Sequence, residues 1–169
     1  MLRFGFKWAS GGQPDSPALT QRQRAILTSQ LVIAGIERDH ANTEWLKRIV
    51  AEHGWPRRSA VGDSAAKVAW LLAQHADADP AFQLRSLRLM EPLMQAGEVD
   101  RRNYAYLYDR VMLKLTGRQR YATQMTCKGG RYVPRPLEED AGVEKRRREV
   151  GLGTLADYEQ QMVRSGGPC

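Results

Sequence analysis

The chain lacks most of the signals that assign a protein to a function class at sight. No apolar run approaches the roughly 18–20 residues needed to cross a bilayer. "MLRFGFKWASGG" has basic residues but no apolar centre of a secretory signal, so the protein is expected to be cytoplasmic. Cys127 and Cys169 are the two cysteines, with no Cys-x-x-Cys spacing. They fit neither a zinc cage nor a disulfide scaffold, could pair only if the tail folds back, and are read as free thiols. Of the three histidines, His40 and His53 lie far from His75 in sequence, and His75-x-Asp77-x-Asp79 is at most a fragment of a ligand set. No metal is therefore expected. No Gly-x-Ser-x-Gly elbow, Walker loop or dinucleotide fingerprint occurs, which leaves serine hydrolase chemistry and phosphate cradles without support. No organic cofactor is expected either.

What is present is ordinary globular composition: 42% hydrophobic and 27% charged residues in 169, enough for one domain with a real core. The net charge of +7 raises the prospect of a polyanionic partner. Its distribution argues otherwise. Arg22/Arg24, Arg57/Arg58, Arg101/Arg102 and Arg146 to Arg148 are spread along the chain, with no zinc-finger spacing or RNP aromatics. Weak, salt-sensitive and sequence-indifferent nucleic-acid binding is the most that this pattern supports.

Three regions are expected: a flexible arm at 1–17, a single helical domain at 18–165, and a tail at 166–169. Within the domain, apolar residues recur at helical spacing from Ala18 to His53, with a break expected near Gly35 or Asp39, and Gly54 closes the run. "GWPRRSAVG" reads as a loop, after which Asp63 is a good N-cap for a helix through about Ala76. Asp79 and Pro80 read as N-cap and first residue of the next helix, which stops at Gly97. Asp100 caps a fourth helical segment that Gly117 ends. "GRQRYATQMTCKGGRYVPRP" then looks like a long ordered loop or short hairpin, and two short helices follow, the second opened by Thr154 with Asp157 in capping-box position. The fold class is mainly α, a helical bundle.

His75 is the natural proton-transfer candidate, because imidazole titrates near neutrality. It also suits the last turn of a helix for dipole reasons alone. Asp77 either orients the imidazole or faces water. Asp109 and Arg110 interrupt an apolar segment and, being adjacent on a helix, point about 100° apart, so at least one looks inward or toward a groove. The alternative to a site role is a buried pair made with another element.

Five stretches, "GWPRRSAVG", "AWLLAQHADADPAFQ", "GEVDRRNYAYLYDRV", "RQRYATQ" and "VEKRRREVGLGTLADY", together resemble an uncharacterised bacterial domain-of-unknown-function family. Its motifs are Gly-Trp-Pro, Gln-His-x-x-x-Asp-Pro-x-Phe-Gln, an Asp-Arg pair, Gln-x-Tyr-Gly-Thr-Gln and Arg-Arg-x-x-x-Gly-Leu, over roughly 42–158. The resemblance implies that Trp55, His75, Phe82, Gln83, Asp109, Arg110, Gln119, Tyr121, Thr123 and Gln124 sit at family positions, and implies no reaction. Ala122 stands where the family usually has Gly, and the N-terminal helical region departs from the acidic and Gln/Arg pattern of other members. Polar motif positions of these types are those that line a pocket. The leading expectation is a metal-independent enzyme of lyase, cyclase/isomerase or hydrolase type acting on a small, possibly anionic molecule. In it His75 is the general acid/base and Asp109 orients it or takes the second proton. Arg110 holds an anionic group, while Gln83, Tyr121, Thr123 and Gln124 position the substrate. The alternatives are a non-catalytic ligand- or protein-binding module whose polar residues form a structural network, and a nucleic-acid-associated basic protein.

Overall fold

The computed structural model describes residues 19–169; the expected arm at 1–17 lies outside them. Helix α1 spans Gln21–His53, α2 Arg58–Gln74, α3 Pro80–Gln95 and α4 Arg101–Thr116. An antiparallel hairpin follows, β1 Met125–Lys128 and β2 Arg131–Pro134, then α5 Val143–Glu149 and α6 Leu155–Gly166. The architecture is mainly α with a small two-stranded sheet, as the periodicity indicates.

Local chemistry explains most of the boundaries. The Asp79 carboxylate accepts the Phe82 N–H at 2.9 Å with Pro80 in the first turn of α3. Asp100 accepts the N–H groups of Arg102 and Asn103 at the head of α4. Gly117, at φ 74°, ends α4 in the left-handed conformation that other residues adopt at a cost. Thr154 and Asp157 form the expected capping box of α6.

Two boundaries differ from the sequence reading. α1 is unbroken: a capping box between Thr20 and Gln23 opens it, and Gly35 is tolerated within it because one interior glycine costs only about 1 kcal/mol. α2 begins at Arg58, not Asp63, because Glu98 accepts the Arg58 N–H on its carbonyl and the Ser59 N–H on its carboxylate. At Gly62 the backbone leaves helical geometry (φ 78°, ψ 163°), and the regular helix resumes at the position expected for its start.

The core is one cluster in which Leu46 and Val50 of α1 and Ala69 and Ala73 of α2 meet Phe82, Leu87 and Met90 of α3 and Tyr104, Leu107 and Val111 of α4. Each large side chain in it contributes about 1.5–3 kcal/mol relative to exposure. α6 buries no residue of its own. It is held by ties: Arg131 to Glu159, the Tyr132 hydroxyl to the Gly167 carbonyl, and a disulfide between Cys127 and Cys169. The disulfide corrects the reading of free thiols. Chain reversal through α5 and α6 returns the C-terminal residue to β1, with the two Cα atoms 5.5 Å apart across 42 residues of sequence.

Candidate functional site

Asp109 of the Asp-Arg pair and the Gln-x-Tyr-Ala-Thr-Gln motif meet in a buried knot. Asp109, fully buried on α4, accepts backbone N–H groups from Arg120 (2.8 Å), Tyr121 (3.0 Å) and Thr123 (2.8 Å). Burial pushes its carboxyl up, and the three N–H donors oppose that. From the other side Arg147 of α5, 2% exposed, donates to the carbonyls of Tyr121 (2.8 Å) and Ala122 (3.1 Å) and to that of Gly153 (2.7 Å). The Tyr158 hydroxyl donates to the Thr123 carbonyl. Gln119, also fully buried, donates to the carbonyls of Gln124 and Arg135 and accepts the Gln124 N–H. The turn therefore has its N–H groups on an anion and its carbonyls on a cation. Ala122 sits inside it at φ 55°, the one non-glycine residue at positive φ among the described residues, a conformation that glycine adopts at lower cost.

A second cluster joins α2, α3 and α4. Gln83, fully buried, donates to the carbonyls of Ala73 and Gln74 and to Asp77, and accepts from Lys114 at 2.8 Å. Asp77 is bound by Arg110 at 2.6 Å and Lys114 at 2.7 Å. Burial alone would raise the Asp77 carboxyl, but the Lys114 hydrogen bond and the charges of Arg110 and Lys114 outweigh it and hold the group below the usual carboxylate range. A group held low contributes stability above its unfolded pKa and loses it as pH falls through the folded value. The stability difference between the wild type and Asp77→Asn should therefore be full at neutral pH and shrink below about pH 4. Urea titrations over a pH series would read this, and a difference independent of pH would show that the ion pairs do not matter.

His75 takes part in neither cluster. It is the C-cap of α2, its side chain is exposed, and its imidazole makes no hydrogen bond among the described residues. The Asp109 carboxylate faces the backbone of 120–123 and does not orient it. The expected site residues thus fall into separate groups. Arg110 and Gln83 go with Asp77, Asp109 goes with Tyr121 and Thr123, and the Gln124 amide hydrogen-bonds the Thr123 hydroxyl. Among the described residues no three His, Cys, Asp or Glu side chains gather as a ligand cluster, and no helix is long and apolar enough to cross a membrane.

A concavity lies elsewhere among the described residues. A cavity of about 680 Å³ is walled by α2 through Lys67 and Trp70, by α4 through Asn103 and Tyr106, and by the Gly151–Gly153 segment with Tyr158 and Gln161 of α6. Its volume is that of small-molecule sites. Trp70, Tyr106 and Tyr158 form an edge-to-face row across three helices, with successive ring centroids 6.3 Å apart, and the Arg147 guanidinium lies 5.3 Å from the Tyr158 ring centre. The other lining cations are engaged: Arg58 with Asp63, Arg102 with Asp100, Arg147 with carbonyls. Lys67 is exposed and has no ion pair among the described residues. Sequence reasoning missed this site, although Trp55, Gly151 and Leu152 of two quoted motifs line it.

Searches of the curated proteins and of the solved structures each found no match. A family model, described as a family of unknown function (DUF6624), matches residues 18–167, and the chain belongs to that family.

Proposed function

We propose that the protein is a binding module for a small molecule that combines a flat apolar part with an anionic group, seated in the cavity between α2, α4 and α6. The observation that carries this reading is the Trp70–Tyr106–Tyr158 row beside Lys67. Aromatic edges and faces suit a planar ligand, and a lysine without a carboxylate partner is a ready counter-charge. The polar motif residues then act as the frame. Asp109 fixes the Tyr121–Thr123 turn, and Arg147 ties that turn to the Gly151–Gly153 segment that forms one wall. Acid/base catalysis by His75 with Asp109 finds no support in this arrangement, because the imidazole is exposed and the carboxylate is already satisfied.

A series of aromatic carboxylates, with their uncharged amides as controls, tests the reading by isothermal titration and two-dimensional NMR. Some carboxylates should bind saturably and their amides weakly. Lys67→Ala should weaken binding by roughly 10- to 100-fold, the worth of a hydrogen bond to a charged group. His75→Gln should change neither binding nor stability by more than about 0.5 kcal/mol, as for an exposed side chain. Binding indifferent to charge and to Lys67, or absent throughout the series, would defeat the proposal. Ligand turnover lost in His75→Gln would hand the function to acid/base catalysis.

A further inference from the structure

We infer that the Cys127–Cys169 bond is a redox clasp on α6. Closed, it holds the helix as a wall of the cavity; opened by a dithiol, it releases the C-terminal turns of that helix and leaves the body folded. Its effect on a ligand rests on the binding function proposed above, while the clasp itself does not.

The bond joins two peripheral elements. Its cysteines lie on β1 and at the last residue, whereas the core cluster is drawn from α1 to α4 with Trp55, Ala76 and Val99 from the segments between them. α6 has 12 residues and buries none of them, so its order depends on its ties. The N-terminal end is well held by its capping box, by the Leu155 N–H on the Glu144 carboxylate at 3.1 Å and by the Tyr158 hydroxyl on the Thr123 carbonyl at 2.9 Å. Beyond Tyr158 the ties weaken. Arg131 pairs with Glu159 but is itself exposed, an arrangement that stabilises little in water. The Tyr132 hydroxyl donates to the Gly167 carbonyl over a long 3.3 Å. Cys127 faces Tyr132 in the register of the hairpin, so the same pair of strands grips the chain end a second time, covalently, at Cys169. Gln161, which lines the cavity, lies on this loosely tied part of the helix.

The bond is within reach of a reductant, since Cys127 is exposed and Cys169 only half-buried. Lys128 follows Cys127 and faces Arg131 across the hairpin, which places positive charge where a thiolate attacks. A thiolate of the dithiol attacks the Cys127 sulfur, the disulfide breaks, and Cys169 leaves as a thiolate that takes up a proton. The second thiolate of the dithiol then displaces Cys127, which is protonated in turn. The protein gains two electrons and two protons, and the dithiol becomes a disulfide.

Hydrogen exchange read by mass spectrometry tests the clasp on the full chain, purified without reductant and then treated with millimolar dithiothreitol in native buffer. Alkylation should find no free thiol before treatment and two after it. Peptides from 159–169 should exchange roughly tenfold faster once reduced, while those of α3 and α4 stay unchanged. Cys169→Ser should exchange like the reduced wild type and ignore the dithiol. Free thiols in the untreated chain, a bond that yields only in denaturant, or equal exchange of 159–169 in both states would overturn the inference. So would a Cys169→Ser chain that exchanges like the oxidised wild type. Faster exchange throughout α3 and α4 on reduction would equally overturn it, because the bond would then staple the whole fold. No ligand enters these measurements, so a failed clasp leaves the binding reading standing, and absence of binding leaves the clasp.

Discussion

Asp109→Ala is expected to lower the stability of the protein by about 3–5 kcal/mol, the cost of stranding the N–H groups of Arg120, Tyr121 and Thr123 at roughly 1–3 kcal/mol each, partly relieved by relaxation and by water at the part-buried pair. The carboxylate is fully buried, and the backbone N–H groups of Arg120, Tyr121 and Thr123 converge on it. Asp109→Asn is the sharper variant. Its shape is the same, and one oxygen still accepts from Arg120 and Tyr121, but its NH₂ group would face the Thr123 N–H, donor against donor. A smaller loss than for alanine, still above about 1 kcal/mol, is the expected order. Urea unfolding followed by far-ultraviolet circular dichroism measures both. Two variants within about 0.5 kcal/mol of the wild type would mean that the turn is held by other contacts.

The second large effect is expected at Arg147. Arg147→Met keeps much of the stem volume but leaves the carbonyls of Tyr121, Ala122 and Gly153 without their donor. A loss of about 3 kcal/mol follows. Arg147→Lys should recover little, since one ammonium cannot reproduce a planar fork that spans the Tyr121–Ala122 turn and the Gly153 segment together. Asp109 and Arg147 grip the same turn from opposite sides, so their effects should not add. The Asp109→Ala/Arg147→Met double variant should lose less than the sum of the single losses by roughly 1 kcal/mol or more, as for residues in one network. Hydrogen exchange offers an independent readout. Amides of the Gly151–Gly153 segment and of α6 should exchange faster in Arg147→Met, because α6 buries no residue of its own and relies on such ties. Unchanged protection there would separate Arg147 from the cavity wall.

The basic charge that suggests a polyanionic partner is partly used inside the molecule. Arg146 donates to the carbonyls of Arg120, Glu139 and Ala141, Arg147 is buried, and Arg58 and Arg102 are paired with Asp63 and Asp100. Four of the arginines in the basic clusters thus have protein partners.

Much of the secondary structure was decided within a few residues of chain, and there the sequence is sufficient. The Asp79–Pro80 start of α3, the Asp100 and Gly117 ends of α4, and the Thr154–Asp157 box are i to i+3 or single-residue effects whose partners lie next to one another. The mainly α class follows from the same local periodicity. The set of residues worth attention was also legible, since the motifs name Gln83, Asp109, Gln119 and Thr123, all of them buried polar groups. Their roles were not. Whether a carboxylate faces an imidazole or a row of N–H groups depends on which segments fold against it, and Asp109 meets partners 11 to 14 residues on, Asp77 33 and 37, Arg147 25 and 26. His75 shows the limit plainly: helix position explains why a histidine suits that turn, but only packing left it outside both polar clusters and outside the cavity lining. The cavity itself and the Cys127–Cys169 bridge are likewise products of chain return, because both need α5 and α6 to come back against the bundle and the hairpin. Local pattern carries the information for hydrogen bonds within a turn; contacts between distant segments depend on the summed packing of the whole chain, which no single stretch encodes.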